Sequence, residues 1–313
     1  GLLMLGAAAG SMEISQILAG ADLRQHPWYA AIAVLLMLGA FTKSAQFPFH
    51  FWLPGAMSAP TPASAFLHSA TMVKAGIFLL LRFYPLLGDT PLWQNSLIWV
   101  GGLTTLISAV IALWQMDLKG ILAYATISQL GALVLLIGLP GGAGLKAALV
   151  GVLAHALYKG TLFLIAGTVD HVTGTRNIRE LGHLVRSMPG YAVAAGLVAL
   201  SMAGAPPMFG FVAKETALEA VFSSPVVLAL SVLRAILTVA VALRLFWDVF
   251  LRPERIPLPQ PEHKEHDFHH PYGDDAFDFS HHHGTPPGML VGPAFLGLLS
   301  LVLGLGIGPL VSP

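Results

Sequence analysis

Four lysines lie inside or beside long apolar stretches of the sequence, where a charged side chain is costly. They are Lys43, Lys74, Lys159 and Lys214. An ammonium group at the centre of a bilayer costs at least ~2.5–3.5 kcal/mol, so four of them would cost roughly 10 kcal/mol if uncompensated. Because burial penalises its charged form, a dehydrated amine can take up and release a proton near neutral pH. The chemistry that these residues predict is proton transfer through a hydrated interior.

Histidines and a threonine accompany these lysines at helical spacing. His155 and Lys159 are four residues apart, so they share one face of a helix. His68, Thr71 and Lys74 follow one another at intervals of three residues. Together they predict a polar line through the middle of the membrane. The structural alternative is that each lysine extends to a membrane interface, which suits Lys159 least because it lies deep in its segment.

Further polar residues could support this line, and several have a structural alternative. They are His50, Asp117, Lys119, Ser128, Glu215 and Arg234. Ser128 and the adjacent Gln129 are neutral polar groups that can hold bridging water. Asp117 and Lys119 begin a helix, where an acid suits the positive end of the dipole, so boundary anchoring and a place in the proton path both remain open. Glu215 is either the partner of the adjacent lysine or a solvated helix end. For Arg234, an ion pair and a transport role remain open.

The composition predicts a chain that crosses a membrane many times. Of 313 residues, 55% are hydrophobic and 10% are charged, whereas an ordinary soluble domain is about 25% charged. A spanning helix needs roughly 20 mostly apolar residues. Nine segments are predicted: 1–19 (partial), 28–52, 61–83, 95–115, 119–139, 146–169, 190–219, 225–251 and 288–311. The expected fold is an all-α polytopic membrane protein.

Prolines interrupt two of these segments, 28–52 and 190–219. The prolines are Pro48, Pro54, Pro206 and Pro207. An interior proline breaks a helix, and a bilayer tolerates the break only where protein or water satisfies the freed carbonyl groups. A pair of broken segments in corresponding halves predicts an inverted-repeat transporter.

The loops predict an orientation and a division into domains. The loops after segments 4, 6 and 8 carry seven Lys and Arg residues, whereas those after segments 1, 3 and 5 carry three, so the first set is predicted to face the cytoplasm. We expect a transmembrane domain at 1–251, a hydrophilic loop at 252–287 and a further helix at 288–313. The loop is rich in histidine, but its spacing matches no closed tetrahedral site, so no metal site is predicted.

Several classes of function and cofactor are disfavoured by the composition. Basic and acidic residues balance at 16 each, so nothing suggests nucleic acid as a partner. The chain has no cysteine, which excludes disulfides, iron–sulfur clusters and thiolate metal sites. No cofactor is predicted. The chain opens with Gly1 inside an apolar run, so we expect it to be a piece that lacks preceding helices.

Four longer motifs resemble one family. They are KSAQFPFHFWLPGAMSAPTPASAFLHSATMVKAG from residue 43, DLKGILAYATISQLG from 117, HALYKGTLFLIAG from 155 and PPMFGFVAKE from 206. They are similar to the proton-conducting antiporter-like family, which includes large membrane subunits of respiratory complex I, of membrane-bound hydrogenases and of Mrp-type cation/proton antiporters. The resemblance covers nearly the whole chain.

The resemblance implies roles for five residues. Lys43 matches the lysine of the first broken helix, Lys159 the central lysine and Lys214 the lysine of the second broken helix. His68 and His155 match histidines of the axis that connects these lysines. The family's essential glutamate lies on the fifth helix, which this sequence does not contain. The resemblance also implies a prokaryotic inner (plasma) membrane protein that assembles with other membrane subunits.

Two residues favour the Mrp branch of the family. Mrp large subunits typically carry a lysine at the position of Lys74, where complex I subunits usually have a neutral residue, and His50 also looks Mrp-like. The expected function is therefore that of a secondary transporter subunit, not an enzyme, that exchanges Na⁺ or another monovalent cation for protons. The alternatives are a subunit of a redox-driven proton pump and a structural scaffold whose lysines reach the interfaces.

Overall fold

The structure, a computed structural model, describes residues 1–20, 23–69, 71–253 and 287–311. Within these ranges it is almost entirely helical, with no β-strand beyond one isolated bridge between Asp117 and Asn177. The helices are α1 (Leu2–Ala9), α2 (Ile14–Gly20), α3 (Tyr29–Lys43), α4 (Trp52–Gly55), α5 (Thr61–Ser69), α6 (Ala75–Leu87), α7 (Pro91–Trp114), α8 (Leu118–Ile137), α9 (Ala143–Thr173), α10 (Leu184–Ser187), α11 (Pro189–Ala203), α12 (Phe209–Val221), α13 (Pro225–Phe246) and α14 (Pro287–Val311). The prediction of an all-α polytopic protein is confirmed.

Six helical stretches in the described part of the chain are long and apolar enough to cross a membrane. They are Thr61–Leu87, Pro91–Trp114, Leu118–Ile137, Pro140–Thr173, Pro225–Leu251 and Gly288–Gly306. Each coincides with one of the nine predicted segments. The other three predicted segments consist of shorter helices: α1 with α2, α3 with α4, and α11 with α12.

Both proline-marked breaks are present. After α3 ends at Lys43, regular α-helix resumes only at Trp52, and α11 is separated from α12 by residues 204–208. Gly204 ends α11 with a φ of 73°, in the left-handed region that favours glycine. The predicted breaks therefore place Lys43 at one interrupted helix end and bring Lys214, on α12, next to the other.

A third break, which the sequence did not predict, separates α5 from α6. A short 3₁₀ turn, Met72–Lys74, stands between them. The Val73 carbonyl in this turn accepts a hydrogen bond from the Ser44 hydroxyl at 2.7 Å. A Cβ on Gly76 would lie 2.3 Å from the Ala40 carbonyl oxygen, so only glycine lets α6 approach the end of α3 this closely. The third break and the first therefore support each other.

Helix α9 is the central helix of the fold. It runs for 31 residues without interruption, which is about 46 Å at 1.5 Å per residue. It packs against α5, α8, α11, α12 and α14. Because α9 packs against α5, before the third break, and against α11 and α12, on either side of the second, its side chains can face both of these breaks.

Loops that were predicted to lie on one side of the membrane meet in the structure. Arg176, after α9, forms an ion pair with Asp117, before α8, at 3.2 Å. Asp117 also caps α8 by accepting a hydrogen bond from the Gly120 N–H at 2.7 Å. That this side is cytoplasmic stays a prediction, as does the division into domains. Nearly all of the histidine-rich loop, 254–286, lies outside the described residues.

Candidate functional site

The site is built around two basic residues on α9. His155 and Lys159 are both fully buried and lie one turn apart. The Lys159 ammonium donates a hydrogen bond to the Leu122 carbonyl of α8 at 3.0 Å. Neither ring nitrogen of His155 has a hydrogen-bond partner, although Tyr158 packs edge-on against the ring at 5.4 Å. The predicted sharing of one helix face thus places a histidine whose ring nitrogens have no hydrogen-bond partner next to a buried amine.

His68 extends this site from α5. Its side chain is fully buried, and its ring lies 4.7 Å from the ring of Phe163, one turn after Lys159 on α9. Neither of its ring nitrogens has a partner. His68 and Lys159 lie close enough to interact electrostatically.

Lys74 completes the group from the break between α5 and α6. It is buried, and its ammonium nitrogen has no hydrogen-bond partner. Like His68 and Lys159, it acts electrostatically on His155. We call His68, Lys74, His155 and Lys159 the basic cluster. None of the ion pairs in the described part of the chain involves a member of this cluster.

Lys214 lies apart from the basic cluster, at the second proline-marked break. Its ammonium donates to the Ala203 carbonyl, the last residue of α11, at 2.8 Å. The expectation that Glu215 pairs with Lys214 is wrong. Glu215 is exposed and takes part in none of the described ion pairs, because adjacent helix residues do not face each other. The alternative, a solvated helix end, is what the structure has.

Lys43 and His50 are not brought to the basic cluster. Lys43 is exposed at the end of α3. The ring of His50 is half-buried, stacks on Phe47 at 4.9 Å and faces Tyr124 at 6.4 Å. Their part in proton transfer therefore stays a prediction.

Two of the predicted supporting hydroxyl groups are used in packing. Thr71 donates to the Phe66 carbonyl at 3.1 Å. Ser128 donates to the Thr105 carbonyl at 2.8 Å, and Thr105 returns a hydrogen bond to the Ser128 carbonyl at 2.6 Å. The Ser128 hydroxyl thus ties α8 to α7, and its part in holding a bridging water stays a prediction.

Lys119 and Asp117 anchor one end of α8. Lys119 is buried, donates to the Ala59 carbonyl at 3.3 Å and pairs with Asp170 at 3.9 Å. Asp170 also lies 4.0 Å from Arg176. These contacts fit boundary anchoring, the structural alternative for both residues. Leu122, which accepts from Lys159, lies three residues on from Lys119, or about 4.5 Å along the axis.

Arg234 is a further buried basic residue, and its setting could not be read from the sequence. One of its terminal nitrogens donates to the side-chain oxygen of Gln129 on α8, and its Nε is buried without a partner. The ion pair weighed for it is not among those of the described residues, where its partner is a neutral amide. A lone arginine in the middle of an apolar segment was the only signal.

Comparison with known protein families identifies the family of this chain. The family model described as NADH:quinone oxidoreductase/Mrp antiporter, transmembrane, matches residues 1–239. The chain belongs to this family. The predicted resemblance is confirmed, and so is the prediction of a multi-pass membrane protein.

Relatives in the Mrp antiporter family are considerably longer than this chain. A protein of Rhizobium meliloti named as a probable K⁺/H⁺ antiporter component is 45% identical over 273 residues, covering 84% of this chain and 27% of the relative. A protein of Staphylococcus aureus named as the putative antiporter component mnhA2 is 43% identical over 276 residues, covering 80% and 34%. The chain thus spans about a third or less of these relatives.

Two solved structures resemble the fold. The Mrp complex from Dietzia sp. DQ12-45-1b has a TM-score of 0.83 and 40% identity, over 99% of this chain and 32% of that one. The membrane-bound sulfane sulfur reductase, an archaeal respiratory membrane complex, has a TM-score of 0.79 and 25% identity, over 97% and 49%. Both branches of the family therefore share this helical arrangement.

In this member of the NADH:quinone oxidoreductase/Mrp antiporter family, three small cavities surround Arg234. The largest, about 40 Å³, also borders Lys214, Gln129 and Tyr158. The second, about 20 Å³, borders Lys214 as well, and the third, about 10 Å³, borders Gln129 and Tyr158. A water molecule needs roughly 10–15 Å³ of such space and two to four polar partners. We call these the arginine cavities; they have room for several waters between α9 and Lys214.

Proposed function

We propose that this chain is part of the proton-conducting membrane subunit of a monovalent cation/proton antiporter, with Na⁺ as the cation. On this proposal it is a component of a transporter and not an enzyme. The observation that carries the proposal is the basic cluster: four titratable side chains, all buried, with five nitrogens that lack a hydrogen-bond partner and with no acid paired to them in the described part of the chain.

The chemistry of this cluster suits proton transfer. An imidazole accepts a proton on one nitrogen and donates from the other, and a lysine amine can also do both. Two neighbouring positive charges without an acid repel each other, by about 4 kcal/mol at 4 Å for an effective dielectric constant of 20. A proton on Lys74 or His68 therefore disfavours one on His155 or Lys159. Such coupling favours passing one proton along the cluster over storing several.

The proposed path continues from Lys159 to Lys214 through the arginine cavities. Gly151, Ala154 and Tyr158 of α9 line the largest cavity, and Lys214 lines it from α12. Water in this space supplies the hydrogen-bonded links that the side chains lack. At the other end, we propose that Lys43 delivers protons to the cluster, as the resemblance implies.

Partner subunits belong to the same proposal. The relatives of Rhizobium meliloti and Staphylococcus aureus are named as antiporter subunits, and the Dietzia structure is of an Mrp complex. We propose that this chain likewise acts with other membrane subunits. Because the Rhizobium meliloti relative is named for K⁺, the choice of Na⁺ needs a direct test.

A second candidate is a proton-translocating subunit of a redox-driven complex. The likeness to an archaeal respiratory membrane complex over 97% of the chain favours it. The same basic cluster would then carry protons, but a remote redox reaction would drive them. The identities of 45% and 43% to antiporter subunits favour the first proposal.

The test uses the full-length protein with its partner subunits in everted membrane vesicles. A pH gradient is established by an independent proton pump, and Na⁺, K⁺ or choline is then added without redox substrate. Wild type should collapse the gradient with Na⁺ and not with choline, and Lys74→Met should lose most of this response. Lys146→Met, an exposed lysine on α9, is the matched control.

Each result has a clear meaning. A response to K⁺ but not to Na⁺ keeps the antiporter and corrects the cation. No response of wild type to any monovalent cation would refute the antiporter proposal and favour the redox-driven pump. A full response from Lys74→Met removes that residue from the path.

A further inference from the structure

Arg234 lines all three arginine cavities, and no other residue in the described part of the chain does so. It reaches them from α13, where Leu233 and Ile236 are exposed on the outer face. A guanidinium group is always protonated in proteins. The space between α9 and Lys214 therefore holds a fixed positive charge in every state of the transport cycle.

This charge has no acidic neighbour in the cavities. Among the described residues that line them, none is an aspartate or glutamate. Arg234 donates to the Gln129 amide oxygen, and its buried Nε remains unpartnered. Lys214 and Arg234 interact electrostatically across this space. A buried charge held by a neutral amide keeps its field, whereas a salt bridge would cancel most of it.

A metal cation would meet this field without compensation. A unit charge about 4 Å from a fixed one is disfavoured roughly a thousandfold at an effective dielectric constant of about 20. Na⁺ prefers several oxygen ligands and a nearby negative charge, as hard cations do, and the described lining of the cavities supplies no carboxylate. An arginine in a narrow polar passage excludes cations from other membrane pores in this way.

A proton has a means of entry that Na⁺ lacks. It can form a covalent N–H bond with Lys214, and an amine has a reference pKa of about 10.4. That bond can offset a repulsion that nothing offsets for a metal ion. The same fixed charge therefore discriminates between the two ions that an antiporter must keep on separate routes.

We propose that Arg234 determines ion specificity, excluding metal cations from the arginine cavities so that positive charge enters them only as a proton bound to a side chain. This inference rests on the proposed antiporter function. It assigns a role to a residue outside the basic cluster and predicts that loss of the charge uncouples cation movement from proton movement.

The test measures both ions in proteoliposomes that contain the full-length complex. With equal pH on both sides, an inside-negative potential drives uptake of ²²Na⁺ while proton efflux is followed with a pH dye. Arg234→Gln removes the charge and keeps a hydrogen-bonding amide. Na⁺ uptake in excess of proton efflux should rise at least tenfold in this variant.

Two further variants sharpen the result. Arg234→Lys keeps a positive charge, so its Na⁺ uptake in excess of proton efflux should stay as low as in wild type. Arg244→Gln neutralises another arginine of α13. Arg244 pairs with Asp248 at 3.4 Å and does not line the arginine cavities. This variant should therefore also show no excess Na⁺ uptake. A leak in Arg234→Lys or in Arg244→Gln would overturn the specificity role.

A fourth variant covers the case in which Arg234→Gln does not assemble. Ala217→Glu places a carboxylate in the two cavities that also contain Lys214, and it leaves Arg234 in place. It should leak because it cancels the fixed charge. Tight coupling in each charge-cancelling variant that assembles overturns the inference. If wild type shows no exchange of Na⁺ for protons at all, it is the proposed function that fails, and the leak of the variants can still be read.

Discussion

Replacing Lys159 by methionine should abolish most of the transport and change the stability of the protein only slightly. Methionine is unbranched and of similar length, so it can occupy the fully buried site without a large cavity. The lost hydrogen bond is the 3.0 Å contact to the Leu122 carbonyl, and a typical one contributes about 0.5–1.5 kcal/mol. The carbonyl keeps a side-chain partner, because the Thr126 hydroxyl donates to it at 2.8 Å.

The gain from removing the amine offsets this loss. An ammonium at this depth costs about 2.5–3.5 kcal/mol on the insertion scale. The expected change in the free energy of unfolding therefore runs from a loss of about 1 kcal/mol, for a neutral lysine, to a gain of about 2 kcal/mol, for a charged one, once the lost hydrogen bond is subtracted. Transport should fall by a factor of at least about 100, as is typical for loss of a proton-transfer group.

Thermal unfolding of the purified complex and the vesicle assay measure these two quantities. Thr161→Val is the matched control, because Thr161 is buried on the same helix and bonds only to the Leu157 carbonyl of its own helix at 3.0 Å. A loss of stability of about 3 kcal/mol or more would refute the reasoning, because it would make Lys159 a structural donor. Normal transport by an assembled Lys159→Met complex would remove the central lysine from the path.

Three other substitutions test the backbone turn, the helix cap and the inter-helix hydrogen bond that position the site. Gly204→Ala should lower the unfolding temperature and impair transport, because its left-handed backbone costs alanine about 1–2 kcal/mol and its Cβ would lie 2.4 Å from the Lys214 side chain. Asp117→Ala should lose about 1 kcal/mol of helix capping in a melt with transport nearly unchanged; a tenfold transport loss in the assembled complex would place Asp117 in the proton path. Ser44→Ala should cost about 1 kcal/mol in the same melt, since it removes the hydrogen bond to the Val73 carbonyl, and an unchanged melt would contradict that bond.

Much of the fold could be predicted because its signals are local. Apolar length marks a spanning helix, and proline marks a break, so both proline-marked breaks were predicted from nearby residues alone. The break at Met72–Lys74 carries no proline. It depends on a serine of another helix and on the close approach at Gly76, which are non-local contacts that no spacing rule contains.

The site divides in the same way. The shared face of His155 and Lys159 follows from helical geometry and was predicted. The contact of Arg234 with Gln129 joins residues 105 positions apart in the sequence and pairs a charge with a neutral amide, so charge matching could not find it. The pairing of Lys214 with Glu215 was wrong because sequence neighbours on a helix diverge in direction.

The arginine cavities are separate and small, so the passage between α9 and Lys214 holds only a few water molecules. On the proposed path, a continuous hydrogen-bonded chain across it must form by brief expansion of the surrounding helices. Work against the osmotic pressure of the medium would then become part of the barrier to proton conduction. Proton flux along this path would depend on how often the interior fills with water, and a higher osmotic pressure would slow it even with every titratable group intact.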